Sequence, residues 1–497
     1  MWSFHKQSEG KFRHPNLANQ VYSNHKSHPG EMRMAELKLP ATMSELRAGL
    51  GNIVDQGQMQ APYFSALLSS KQGIQIIVDN REERIVERQP TAGTVLSAFD
   101  GVTMYEQAVS GFSQREVEQA ASNLVKGVSF QKYALREETE ERGDFITPMQ
   151  VDPLELSVRE KLDRCREIHR RVKDRDPRIV NARIIYIETN EYSAFRNRTT
   201  DLAQRVQRVV LYLIVVVAGP DGQVRYDLES KAGSAGWEIL NFTDEELQQL
   251  VDNAIALLSA ERIEPGEYQI ISAPGVSGTI CHESFGHGVE TDMFLKQRAK
   301  AAYFIDKVVG SSLVNIFDDP SRAGGYGSYF FDDEGRRSTP TRIVENGIFR
   351  RGITDLYSAT ALGIPRSANG RRQDYSRKAY ARMTNTYFGP GDSTLDEMIA
   401  QVDHGIYLDK WSSGMEDPQG WGIQVTCRFG HEIKNGKITN RVFAPIGISG
   451  YVPDVLQSIT AVSKEVEMDG GSCGKGHKET VPVSSGGPHL LLKARLG

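Results

Sequence analysis

Four cysteines in 497 residues, scattered from Cys165 to Cys473, do not make a disulfide framework. That sets aside the small cross-linked secreted scaffolds. Long apolar runs are missing too. The longest, Val209 to Ala218, is ten residues, far short of the roughly 20 that cross a bilayer. It stops at Gly219-Pro220-Asp221-Gly222, a turn signal, and reads as a buried hairpin strand. The first 33 residues are polar throughout, carry His5, His14, His25 and His28, and lack a signal peptide's apolar core. They are expected to be a disordered extension outside the fold, with Met32 or Met34 as an alternative start. Excess positive charge is absent: 59 Lys and Arg against 64 Asp and Glu leave −5, which is no footprint for nucleic acid. A phosphate loop is absent as well. Asp469 stands where its first glycine belongs, and Gly476 replaces the Ser or Thr after Lys475. No repeat of solenoid period is visible. The chain fits a cytoplasmic protein with no membrane span, and 39% apolar residues suffice for two or three cores.

What is present is Cys281-His282-Glu283-Ser284-Phe285-Gly286-His287. Two imidazoles bracket a carboxylate, which is how one short helix builds a hydrolytic metal site. The imidazoles hold a divalent ion and the glutamate takes a proton from water bound to it. The familiar spacing puts the histidines four apart; here they are five apart. On a regular helix five residues separate side chains by roughly 140°. Either a one-residue bulge brings the rings together, or the helix ends near Gly286 or Gly288 and His287 lies in its distorted last turn. A catalytic zinc keeps three protein ligands. Cys165 and Cys427 fall on apolar faces and read as core. Cys281 points about 100° away from His282 on a helix. Cys473 differs, because Asp469-Gly470-Gly471-Ser472-Cys473-Gly474-Lys475-Gly476-His477 is too glycine-rich for a helix or a core strand. Lys475 is expected to favour its thiolate. His477 is a weaker ligand candidate, and a plain surface turn is the alternative reading of this loop.

Periodicity gives the organisation. Strand patterns run from Ile74 to Val78, from Arg84 to about Val109, over Ala182 to Glu188 and over Val206 to Ala218. Ser113 with Glu116, Ser157 with Glu160 and Thr243 with Glu246 are capping-box pairs, each opening an amphipathic helix. Beyond Glu264-Pro265-Gly266 short strands and glycine dominate, with one further helix near Leu395 to Val402. The fold class is therefore α+β. Residues 34–265 form an N-terminal domain of long helices on an antiparallel sheet, with a possible split near 150. Residues 266–497 form a β-rich C-terminal domain carrying one metal-binding helix.

The motifs, taken in order, resemble those of the TldD/PmbA family of zinc peptidases, historically labelled modulators of DNA gyrase. The matching pieces are His282 to His287, Phe331-Asp332-Asp333-Glu334-Gly335, Glu345-Asn346-Gly347, Asn369-Gly370-Arg371-Arg372, Arg382-Met383-Thr384-Asn385-Thr386, Gly389-Pro390-Gly391, Met468 to Lys475 and Val481-Pro482-Val483. The resemblance covers most of the chain from about residue 60. It implies one zinc ion held by His282, His287 and Cys473, with Glu283 as general base. The metal-free branch of the family lacks these positions, so the chain resembles the catalytic branch. The resemblance further implies unfolded polypeptides or peptide precursors as substrates. It also implies a cytoplasmic homodimer, or a heterodimer with a PmbA/TldE-like subunit.

Two clusters have competing readings. Asp332-Asp333-Glu334 fits a hairpin turn before Gly335 better than a second cation site. Arg366, Arg371, Arg372, Arg377, Lys378 and Arg382, interleaved with Tyr375 and Tyr380, suit a peptide carboxylate or a subunit interface better than nucleic acid. Arg371 and Arg372, with His477, are the candidate substrate-binding residues. A scaffold with a structural metal, or a nucleic-acid-associated modulator, are the other function classes left open.

Overall fold

Hydroxyl-x-x-Glu sequences open two of the long helices in the first half. Ser157 accepts from Glu160 N and Glu160 answers to Ser157 N, starting Val158–Lys173. Thr243 and Glu246 do the same for Asp244–Ala256. The third pair differs. Helix Gln114–Val125 begins after Ser113, but the serine side chain makes no capping bond. A further helix, Ala41–Gln58, precedes them. The computed structural model describes residues 36–131, 140–476 and 479–497. The expected N-terminal extension and His477 lie outside them.

These helices cover one face of a seven-stranded sheet, built from Tyr63–Val78, Glu83–Phe99, Met104–Ser110, Glu141–Ile146, Ile179–Arg196, Thr200–Ala218 and Val224–Gly233. All its pairings are antiparallel except that of Glu141–Ile146 with Thr200–Ala218. Alternation decides the faces. Val209, Leu211, Leu213, Val215 and Val217 pack with Cys165, Ile168, Val172 and Leu250 beneath the helices. Met43, Leu46 and Leu50 pack with Phe64 and Leu96 further along. On the opposite face Gln204 and Arg208 reach the later half of the chain. Gln204 Nε2 donates to Phe331 O at 3.0 Å, and Arg208 Nη2 to Ser328 O at 2.9 Å. The apolar run is a hairpin strand, and its turn at Gly219 closes on Gln223.

After residue 265 strands dominate. Gly266–Ser272, Leu490–Leu496, Ile446–Tyr451, Gly422–Lys434 and His404–Asp417 pair successively, and the last pairs back with the first, closing a ring. A second sheet of six strands ends in Glu479–Gly487 and, at its edge, Glu467–Lys475. Between ring and sheet lies the helix Pro274–Phe285, which follows Gly266–Ser272 after a single residue. Its Val276, Ile280, Cys281 and Phe285 belong to the core that joins the two sheets. The glycine-rich stretch, expected to be neither a helix nor a core strand, is an edge strand rather than a plain surface turn, paired along its length with Glu479–Gly487. No helix among the described residues is long and apolar enough to cross a membrane.

Candidate metal centre

The five-residue spacing of the histidines is resolved by ending the helix. Pro274–Phe285 stops at Gly286, whose N–H still donates to His282 O at 3.0 Å. His287 then opens a separate 3₁₀ turn, His287–Val289. No bulge is needed. A side chain at Gly286 would stand 1.9 Å from Met383 Sδ and 2.3 Å from His282 O, so only glycine lets the chain break here. The two rings end face to edge, with centroids 5.1 Å apart.

The edge strand Glu467–Lys475 brings the third donor. Cys473 Sγ lies 3.1 Å from His287 Nε2, and the donor atoms of His282, His287 and Cys473 all lie within 4.8 Å of one another. Burial alone would raise the Cys473 thiol. His287 and His282 outweigh it and bring the thiol down to about 5, so it is a thiolate at neutral pH. Lys475 has a different task from the one expected. Its ammonium turns to Glu290, at 2.9 Å, and Asp292, at 2.6 Å. The sulfur's acidity comes from the imidazoles.

Glu283 is 7% exposed. Burial pushes its carboxyl up to about 7, the two imidazoles oppose the shift, and Glu416 reinforces it through a hydrogen bond. Glu416 sits on His404–Asp417, and its carboxylate lies within 4.8 Å of Glu283 and His287 donor atoms. Sequence reasoning did not single out Glu416. It also passed over Glu290, for which a carboxylate three residues past His287 was the available signal. These groups open on a cleft of about 720 Å³, bordered by Met293, Tyr380, Trp411 and Met415.

Arg371 and Arg372 are not in that cleft. They border a separate cavity of about 60 Å³ between the N-terminal sheet and residues 329–333. Arg371 Nη1 donates to Met383 O at 2.5 Å, and Arg372 pairs with Glu106. Arg366 pairs with Asp332 and Glu334, and Arg382 is 1% exposed. Most of the arginine run is therefore buried in the fold, and only Arg377 and Lys378 are exposed. Asp332 Oδ1 accepts from Glu334 N and Arg336 N, the bonds of a turn before Gly335.

A tetrahedral zinc with bonds of about 2.0–2.3 Å wants donors about 3–4 Å apart, N or S in kind, with one position left open. Two imidazoles and a thiolate on one wall of a cleft fit that requirement. A carboxylate beside them makes the set typical of metal-dependent hydrolases. Comparison with known proteins agrees. The model of the PmbA/TldA metallopeptidase C-terminal domain matches residues 265–495, and that of the central domain matches residues 151–262. The chain belongs to the PmbA/TldD metallopeptidase family. A metalloprotease of Methanothermobacter thermautotrophicus is 32% identical over 63% of this chain and 69% of its own length. A zinc metalloprotease TldD homologue of Saccharolobus solfataricus is 32% identical over 56% of this chain and 63% of its own. TldE from Thermococcus kodakarensis shares the fold with a TM-score of 0.69 at 18% identity, covering 90% of this chain and 99% of TldE. A candidate modulator of a DNA gyrase from Thermotoga maritima gives 0.73 at 17% identity, over 91% and 100%.

Proposed function

We propose that the chain is a zinc peptidase hydrolysing unfolded or extended polypeptides or peptide precursors, with one zinc ion held by His282, His287 and Cys473. The observation that carries this reading is the convergence of those three donors beside the Glu283 carboxyl in one cleft. Zinc bound there would act as a Lewis acid, polarising a carbonyl and making water acidic. Glu283 takes the proton of the attacking water and passes it to the leaving amine. Burial raises this carboxyl, the direction that suits a group which both takes and returns a proton near neutral pH. The Cys473 thiolate supplies negative charge to the site without needing a base to deprotonate it.

The cysteine strand is the last strand of its sheet. Among the described residues it pairs with a strand on one side only, which suits an extended peptide added as a further strand, with affinity depending little on side chains. That favours unfolded substrates. The protein would work in the cytoplasm, as a homodimer or with a PmbA/TldE-like subunit, and the likeness to TldE supports the second arrangement. The matched family domains break between 262 and 265, which supports domains over 34–265 and 266–497.

The test is zinc content of wild type and Cys473→Ala by elemental analysis, together with cleavage of an unstructured peptide pool, with and without a TldE-like subunit. One zinc per chain, lost in the variant along with cleavage, is expected. Absence of zinc from a zinc-supplemented wild type would refute the reading.

A further inference from the structure

His287 and Cys473 come from distant parts of the chain, yet their donor atoms meet at 3.1 Å. The contacts behind them explain why. Glu290, three residues past His287, is 1% exposed. Its Oε2 lies 3.5 Å from His287 Nδ1 and 2.9 Å from Lys475 Nζ. Its Oε1 lies 3.4 Å from Arg382 Nε. Lys475 is two residues past Cys473 and also holds Asp292. Arg382 Nη2 donates to Cys473 O at 2.7 Å and lies 3.4 Å from Cys473 Sγ.

Glu290 and Asp292 face Lys475 and Arg382 in a nearly dry setting, with the half-exposed Lys296 as a further cation on Asp292, so removing Glu290 leaves buried positive charge uncompensated. Glu290 belongs to both arms. One arm runs directly to the imidazole. The other runs through Lys475 and Arg382 to either side of Cys473. A carboxylate on Nδ1 fixes a ring's tautomer and orientation and leaves Nε2 free to ligate. Nε2 is the atom that faces Cys473.

We propose that Glu290 is the positioning residue of this centre, orienting His287 through Nδ1 and tying the cysteine strand to the His287 turn. It touches no reacting atom. The inference rests on the metal-binding reading above.

The test compares wild type, Glu290→Gln, Glu290→Asp and Asp292→Asn as full-length proteins. Zinc affinity is measured by chelator competition, and Co²⁺ loading is followed by its thiolate charge-transfer absorption. Glu290→Gln should lose about 10–100-fold in affinity, with altered cobalt absorption. Glu290→Asp should recover part of both. Asp292→Asn breaks a Lys475 pair but leaves His287 its carboxylate, and should stay within about threefold of wild type. Wild-type affinity in Glu290→Gln would overturn the proposal. An equal loss in Asp292→Asn would also overturn it, by making the effect one of buried charge alone. If Glu290→Gln does not fold, the Asp variant decides, since a displaced carboxylate that leaves affinity unchanged has no positioning role. A wild type that takes up neither ion sinks the metallopeptidase reading and this inference together. A wild type that binds while Glu290→Gln binds equally well sinks this inference alone.

Discussion

Glu283 is a carboxyl held near neutrality by burial while two imidazoles pull it back. Replacing it with glutamine keeps the shape, leaves the three donors in place and removes the base. Glu283→Gln should retain zinc while peptide cleavage falls about 10²–10⁴-fold. A variant cleaving within tenfold of wild type would remove Glu283 from the mechanism. His282, Glu283, His287 and Cys473 could be picked from the sequence because donor chemistry is a property of residue type. Where a long cation ends up is not. Lys475 stands two residues from Cys473, but the carboxylates of Glu290 and Asp292 claim its ammonium. Arg371 is held by Met383 O, 12 residues on, and Arg372 by Glu106, 266 residues away. Only the pairing of distant strands decides such contacts, so both expectations about these side chains misplaced them.

At the scale of elements, the motif helix is set against its sheet by backbone contact. A methyl group at Gly278 would lie 2.5 Å from Gly486 N and 2.7 Å from Gly486 Cα. In an open helix Gly→Ala stabilises by about 1 kcal/mol. Here overpacking, typically about 1–3 kcal/mol, opposes it, and the obstacle is backbone that cannot rotate away. Gly278→Ala should therefore lower the denaturant midpoint and weaken zinc binding, because the helix carrying His282 is pushed from the strand beside Cys473. A stabilised variant with unchanged affinity would show that helix and strand are not held in contact. Local signals marked the helix starts at Ser157 and Thr243, where capping is a matter of neighbouring residues. They did not mark Glu467–Lys475 as a strand, because its three glycines argue against one and only the partner Glu479–Gly487 makes it.

At the scale of the whole molecule, the N-terminal sheet meets the C-terminal ring through charge. Asp227 and Glu229, on Val224–Gly233, pair with Arg428 and Lys410 of the ring. Asp409 adds a third acid against two bases. Burial pushes its carboxyl up to about 6, and Asp227 and Glu229 reinforce this while Lys410 and Arg428 oppose it. The folded chain thus holds a proton there that the unfolded chain has released above its ordinary value of about 4. Because the folded state binds more protons across that window, stability falls as pH rises from about 4 through 6, then levels. A rise of two units is worth about 2–3 kcal/mol, and the partial exposure of Asp409 places the effect near the lower figure. Asparagine mimics the protonated acid at every pH. Asp409→Asn should therefore match wild type at pH 4 and exceed it by about 2 kcal/mol at pH 8, measured by denaturant unfolding at both values. The variant-minus-wild-type difference cancels the other buried acids that titrate over the same range. Equal differences at the two pH values would mean that Asp409 ionises freely, and that the seam between sheet and ring holds its three acids without penalty.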